Sequence, residues 1–306
     1  MRRTLLASAR LAAAIALLGS LAACGDDDSG ALPLDPNPPL VLGEAQGRPA
    51  EVVLPDDYDT GRSYPLVILL HGYGANARAQ DLIFGLAQRT TRDQFILVLP
   101  NGTENVRGER FWNGTQECCQ FDETDVDDVG YLAGLMREAM RTYAVDPDRI
   151  RLAGHSNGGY MSYRYACEQP VPVDRVAVLA GSTFLDPADC RRPRPIDVLH
   201  MHGTADDTIF YEPNPGPRGV PTVGAEAAVA YWAERAGCAA PPELVERRDH
   251  HRSRRNGDDP AETEVLRYNG CRGGETVELW RGVTADHIYL TVNDLWRDQV
   301  AAFLSE

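Results

Sequence analysis

The chain has 306 residues, 30 of them basic and 45 acidic, for a formal charge of −15; every lysine-or-arginine position is arginine. A chain this acidic excludes electrostatic binding to nucleic acid or to an anionic membrane surface. Its length suits one large α/β domain with an ample apolar core.

Residues 1–23 read as a secretory signal rather than a membrane-spanning anchor. Arg2, Arg3 and Arg10 form the basic end, and Leu11 to Leu18 a short apolar core. Leu21-Ala22-Ala23-Cys24 then resembles a bacterial lipobox, which makes Cys24 the expected lipidation site and the only expected membrane attachment. Residues 24–40, rich in Asp, Gly and Pro, are expected to be a disordered tether, and residues 41–306 the folded domain.

Beyond Cys24 lie Cys118, Cys119, Cys167, Cys190, Cys238 and Cys271. An even number in an exported chain points to disulfides, and six cysteines allow about 15 pairings. The expected pairing is Cys167–Cys190 and Cys238–Cys271, leaving Cys118–Cys119 as a vicinal pair. Their spacings do not repeat and no histidine follows at finger spacing, so no metal site is expected.

Residues 50–54 begin the pattern as a strand. Leu66 to Leu70 is a continuous apolar run, as for a strand buried on both faces, and ends at His71-Gly72-Tyr73-Gly74. Residues 79–90 read as a helix and Phe95 to Leu99 as a second buried strand. Residues 101–123 have no period and form a long loop. Thr124 or Asp125 is the expected cap of the next helix, whose apolar face is Val129, Leu132, Met136, Met140 and Tyr143. Ile150 to Ala153 is a strand and Asn157 to Cys167 a helix. Val176 to Ala180 and Val198 to Met201 are further strands, and Ala225 to Ala236 is a helix closed by Gly237. Residues 244–268, polar and rich in arginine, read as a solvated loop between edge strands. Val277 to Trp280 is the last strand and Leu295 to Leu304 the last helix. Alternating strands and helices predict a mostly parallel central sheet with helices on both faces. Chemistry in such sheets sits at the carboxyl ends of the strands.

Three groups fall at those ends. Gly154-His155-Ser156-Asn157-Gly158 lies between a strand and a helix, the context a nucleophile elbow needs. His202-Gly203-Thr204-Ala205-Asp206-Asp207 follows the strand at 198–201, and Ala285-Asp286-His287 follows the strand at 277–280. Ser, then Asp, then His is the chain order of an α/β-hydrolase triad. Ser156 is the expected nucleophile, His287 the base and Asp206 the acid, preferred to Asp207. Asn157 and Tyr73 are the expected backbone donors of an oxyanion hole.

With these residues the chain resembles the secreted polyhydroxybutyrate depolymerase and feruloyl esterase family of α/β hydrolases, including its bacterial lipoprotein members. The matching pieces are His71-Gly72-Tyr73-Gly74, Trp112-Asn113 with Cys118-Cys119, Asp127-Asp128-Val129-Gly130-Tyr131-Leu132, the elbow, and His202 to Asp207. The resemblance implies an α/β-hydrolase fold, Ser156, Asp206 and His287 as the triad, and cofactor-free hydrolysis of a carboxylic ester. Polyhydroxybutyrate-type oligomers and feruloyl-type esters are the implied substrates. Acetylxylan or another small acyl ester, or a peptide bond, are the alternatives on the same fold. Trp112 is a candidate wall of the substrate pocket. The chain departs from the family's pattern after the base, where Ile288-Tyr289 replaces Trp-Pro.

Overall fold

The computed structural model describes residues 34–119, 125–215, 220–250, 262–288 and 292–306. The expected signal segment and Cys24 lie outside the described residues. The strands are β1 (Val41–Leu42), β2 (Ala50–Val53), β3 (Tyr64–Leu70), β4 (Ile96–Leu99), β5 (Thr103–Glu104), β6 (Arg110–Phe111), β7 (Val145–His155), β8 (Arg175–Leu179), β9 (Asp197–Gly203), β10 (Glu243–Arg248), β11 (Thr263–Tyr268) and β12 (Val277–Gly282). The α-helices are α1 (Ala77–Phe84), α2 (Thr90–Asp93), α3 (Asp128–Thr142), α4 (Asn157–Glu168), α5 (Ala225–Ala236) and α6 (Asp294–Ser305).

Among the described residues, ten strands form one sheet in the order β1-β2-β4-β3-β7-β8-β9-β12-β11-β10. The centre, from β4 to β12, is parallel, and both margins are antiparallel. The period of two along a strand divides the core. Leu66, Ile68 and Leu70 of β3 join the cluster that holds residues of α3, α4 and α5. Val67 and Leu69 join the cluster that holds residues of α1 and α6. Helices thus cover both faces, which is why β3 reads as an unbroken apolar run. Buried Arg151 of β7 ties α6 to the sheet: its Nη1 donates to the Leu304 carbonyl (2.6 Å) at the end of that helix.

Four boundaries differ from expectation. The helix expected over 79–90 stops at Phe84, because Gly85 takes a left-handed conformation (φ 64°) and a short second helix follows. The cap of α3 is Asp127, whose carboxylate accepts the Gly130 N–H (2.7 Å), rather than Thr124 or Asp125. Residues 34–40 are not free tether: Pro38 is buried, Leu34 packs on the core, and the Leu40 carbonyl accepts the Val52 N–H. The polar stretch 244–268 is itself strand at both ends. Edge strand β10 is exposed, and its arginines pair with carboxylates such as Arg247 with Glu264, so it carries no apolar pattern to read.

The structure pairs Cys167 with Cys190, Cys238 with Cys271, and Cys118 with Cys119. The first two close loops of 23 and 33 residues, each worth about 3–4 kcal/mol in the chain-entropy account.

The tightest backbone approach is where β7 meets α4. A Cβ on Gly154 would lie 2.2 Å from the Gly158 carbonyl oxygen, and one on Gly158 would lie 2.4 Å from the Leu70 carbonyl oxygen. Neither neighbour is a side chain that can swing aside. Gly154→Ala should therefore lower unfolding free energy by about 3 kcal/mol or more, read by urea denaturation; a loss within the ±0.5 kcal/mol or so of surface substitutions would refute this packing argument.

Candidate active site

The turn from β7 into α4 places Ser156 at φ 54°, ψ −119°. That is a left-handed conformation costly for a residue with a Cβ, by about 1–3 kcal/mol. The Ser156 N–H is held by the Leu179 carbonyl (2.8 Å), and the helix starting at Asn157 holds the other side. The side chain is left at the carboxyl edge of the sheet. His287 Nε2 lies 2.9 Å from Ser156 Oγ, and His287 Nδ1 lies 2.8 Å from Asp206 Oδ2. The three residues come from sequence positions up to 131 apart. His287 sits in the loop after β12, whose next residues, 289–291, lie outside the described residues.

Asp206 is buried and each of its oxygens is occupied. Oδ1 accepts the Thr208 and Ile209 N–H groups (both 2.9 Å), while Oδ2 faces His287 and, at 3.2 Å, His202 Nε2. Burial alone would push this carboxyl up. Hydrogen bonds from His202 and His287 more than offset that and hold it well below the usual carboxylate range. Asp207 is exposed and turned to its own turn. With Asp206 charged, His287 Nδ1 must carry a proton, so neutral His287 presents a bare Nε2 to the serine hydroxyl.

His155, in the variable position of the elbow, has a role that the sequence pattern does not reveal. Its Nε2 donates to the His287 backbone carbonyl (2.9 Å), and the two rings lie 5.0 Å apart. It anchors the loop that carries His287. Burial drives it down to about 3, so it stays neutral beside that ring. His71 is likewise buried, and held down to about 4. Its Nε2 accepts the Gly102 N–H (2.9 Å), so Nδ1 carries the proton and donates to the Gly72 carbonyl (2.8 Å).

The His71–Gly74 loop passes directly over Ser156. A Cβ on Gly72 would lie 3.2 Å from His155 Nδ1 and 3.4 Å from Ser156 Cβ. Asn157 opens α4, where backbone N–H groups have no partner within the helix. Its side chain grips Trp112 from both sides: Oδ1 accepts the Trp112 N–H (2.7 Å) and Nδ2 donates to the Trp112 carbonyl (2.8 Å). Trp112 corrects the expectation of a pocket wall. It is wholly buried, and its indole N–H donates to the His71 carbonyl (3.1 Å). It supports the loop from beneath rather than lining the cleft.

The cleft beside Ser156 and His287 holds about 420 Å³ and is walled chiefly by Tyr73, Leu82, Ile83, His155 and Ile288. Leu82 is 80% exposed and Ile288 44%, so its rim is apolar. A larger groove, of about 740 Å³, has Arg164, Arg191, Arg192 and Asp189 on its walls but no serine or histidine among the described residues. No group of residues fit to hold a metal is found among the described residues.

Three buried histidines, His71, His155 and His200, are held below their ordinary range by burial. An unfolded chain binds protons there from about pH 6.5 downward that the folded chain refuses. Stability should therefore fall as pH drops from 7 to 5, by up to about 1 kcal/mol per pH unit for each histidine. Urea unfolding at pH 7, 6 and 5 checks this, and an unchanged free energy across that range would contradict the neutral assignments.

A family model described as "Putative esterase" matches residues 45–262. Among curated proteins, feruloyl esterase B of Piromyces equi is 29% identical over 242 residues, 76% of this chain and 41% of that protein. Probable feruloyl esterase C of Aspergillus niger is 29% identical over 185 residues, 58% of this chain and 62% of that protein. The aligned region thus spans 41% to 62% of the length of these relatives. Among solved structures, the acetyl xylan esterase from Aspergillus awamori matches with a TM-score of 0.60 at 13% identity, over 85% of this chain and 95% of that one. That likeness is one of fold. The parallel sheet, the strand–turn–helix at Ser156 and the family match together make this chain an α/β hydrolase belonging to the esterase family.

Proposed function

We propose that this protein is a serine carboxylic ester hydrolase in which Ser156, His287 and Asp206 act as the triad. The observation that carries the reading is the continuous line from Ser156 Oγ to His287 Nε2 (2.9 Å) and from His287 Nδ1 to Asp206 Oδ2 (2.8 Å). Ser156 Oγ attacks the acyl carbon as His287 Nε2 takes its proton. The backbone N–H groups of Asn157 and Tyr73 receive the oxyanion. His287 then delivers the proton to the departing alkoxide, leaving an acyl-enzyme. Water, deprotonated by the same nitrogen, attacks that acyl carbon and releases the acid and free Ser156. Charged Asp206 stabilises the imidazolium in both halves. No step calls for a cofactor or metal.

The apolar rim of the cleft supports a reading of the substrate class. Leu82, Ile83 and Ile288 offer apolar contact, and the charged Arg297 on the same wall is engaged by the Ile83 carbonyl (2.9 Å) and Asp294 (3.2 Å). An aromatic acyl group of the feruloyl type fits that wall, in keeping with the names of the curated relatives. A 3-hydroxybutyrate oligomer is the second reading, and acetylated xylan the third. The three disulfides suit an oxidising compartment, and we place the protein outside the cytoplasm, held to the membrane by lipid at Cys24; a Cys24→Ala chain that still sediments with membranes would refute the anchor.

Residues 34–306 should hydrolyse methyl ferulate in preference to a soluble 3-hydroxybutyrate oligomer or acetylated xylo-oligosaccharide. Ser156→Ala should lower turnover by on the order of 10,000-fold. Undiminished hydrolysis by that variant would sink the serine mechanism, and preference for another of the three esters would sink the feruloyl assignment. Gly72→Val, which drives a side chain against His155 and Ser156, should cost about 100-fold or more in kcat. Tyr73→Ala, which keeps its backbone N–H, should cost far less; equal losses would argue against a backbone role at Tyr73.

A further inference from the structure

Behind Asp206 the sheet buries a row of polar rings that the triad does not use. The Tyr163 hydroxyl lies 2.9 Å from His200 Nδ1, and His200 Nε2 lies 3.1 Å from His202 Nδ1. His202 Nε2 lies 2.7 Å from the Ile209 carbonyl and 3.2 Å from Asp206 Oδ2. All three side chains are fully buried. We propose that His202, held in one tautomer through His200 by the Tyr163 hydroxyl, is a positioning residue for the Asp206–His287 pair. The proposal rests on the reading that Asp206 and His287 serve Ser156.

The two ends of the row set the direction of every hydrogen bond in it. At the Asp206 end both partners are pure acceptors, so His202 Nε2 must carry a proton. At the far end, His200 Nδ1 is the one hydrogen-bond partner found among the described residues for the buried Tyr163 hydroxyl (2.9 Å), and a buried hydroxyl hydrogen is satisfied only if that nitrogen accepts it. His200 Nδ1 is therefore bare, and His200 Nε2 carries the proton that His202 Nδ1 accepts. Both rings are then neutral and protonated at Nε2. The reversed row, with a charged His202 donating to His200, leaves the Tyr163 hydrogen without that acceptor. Burial, which pushes His200 well below its ordinary range, favours the same arrangement.

This fixed donor holds the acid in two ways. Its Nε2 lies nearer the Ile209 carbonyl (2.7 Å) than Asp206 Oδ2 (3.2 Å), and the Ile209 and Thr208 N–H groups donate to Asp206 Oδ1. His202 thus pins the turn that cradles the carboxylate. It also stands beside Oδ2, the oxygen that meets His287 Nδ1. A donor there draws charge from the carboxylate and so limits how strongly Asp206 raises the basicity of His287. The titratable groups around the pair are His202 and His287 themselves, His155, whose ring is tilted by 39° against that of His287, Tyr160, and Tyr211, whose hydroxyl donates to Glu226. Among the described residues no arginine lies within ion-pair distance of Asp206.

The test compares His202→Leu, which removes the donor, with His202→Gln, which can place an amide N–H near the lost Nε2. The readout is kcat and kcat/KM for the preferred ester against pH, with Ser156→Ala and His287→Ala assayed beside them. In His202→Leu we expect kcat to fall on the order of tenfold, with KM within about twofold. The acid limb of the profile should move to higher pH by about half a unit, and His202→Gln should restore much of both. A wild-type profile in His202→Leu overturns the proposal. So does an equal loss in both variants with an unmoved acid limb, which is the mark of packing alone. Turnover surviving in Ser156→Ala or His287→Ala would instead overturn the triad reading beneath it. Should His202→Leu not fold, the wild-type protein decides: with 15N-labelled histidine, NMR near neutral pH should show His200 and His202 both protonated at Nε2. Either ring protonated at Nδ1 alone, or at both nitrogens, overturns the proposal.

Discussion

The structure depends on how closely β7 and α4 pass at the elbow. Gly154 and Gly158 face each other with no room for a Cβ on either, and Gly158 also presses on the Leu70 carbonyl. That contact forces Ser156 into a left-handed conformation no serine would choose. The strain is held from both sides, by the Leu179 carbonyl on the sheet and by the first turn of the helix. Because the same approach brings β3 alongside, the His71–Gly74 loop leaves the sheet directly beside the serine. A single steric constraint therefore sets both where the hydroxyl lies and where the loop above it runs.

Around that elbow the protein uses buried histidines as rigid hydrogen-bonding pieces. His71 braces the loop above the serine, and His155 carries the backbone of the His287 loop. His202 stands behind Asp206. Burial holds His71 and His155 below their ordinary range, so each of those two has one bare and one protonated nitrogen whose roles are set by its partners. An imidazole in this state binds a donor and an acceptor at fixed angles, which few other side chains do in so little space. His287 differs from the buried three in being partly open to the cleft.

Support for the site also comes from residues with no part in the chemistry. Trp112 joins two segments, through its indole to His71 and through its backbone to Asn157. Arg48 lies over the Tyr131 ring, 3.8 Å from its centroid, and pairs with buried Asp128 (2.6 Å), whose other oxygen accepts the Asn113 N–H. The motif Asp127-Asp128-Val129-Gly130-Tyr131 thus divides its work: Asp127 caps α3 and Asp128 holds the Trp112–Asn113 segment in place.

The sequence by itself determined the elements whose signal is local. Runs such as Leu66 to Leu70 announce strands covered on both faces, and the order of Ser156, Asp206 and His287 at strand ends named the residues the fold brings together. The position of Asp206 just past the Gly203 turn also marked it in sequence, and in the structure its Oδ2 lies 2.8 Å from His287 Nδ1. What only the tertiary structure decided are contacts between distant segments. Trp112 looks the same in sequence whether it lines a cleft or fills a core, and its neighbours His71 and Asn157 are 41 and 45 residues away. Edge strand β10 is exposed along its length and so lacks the apolar alternation that marks a half-buried strand. His200 and His202 did leave a trace, since residues two apart on a strand share a face. Their purpose appears only when α4 lays Tyr163 against one end of the pair and the turn after β9 brings Asp206 to the other.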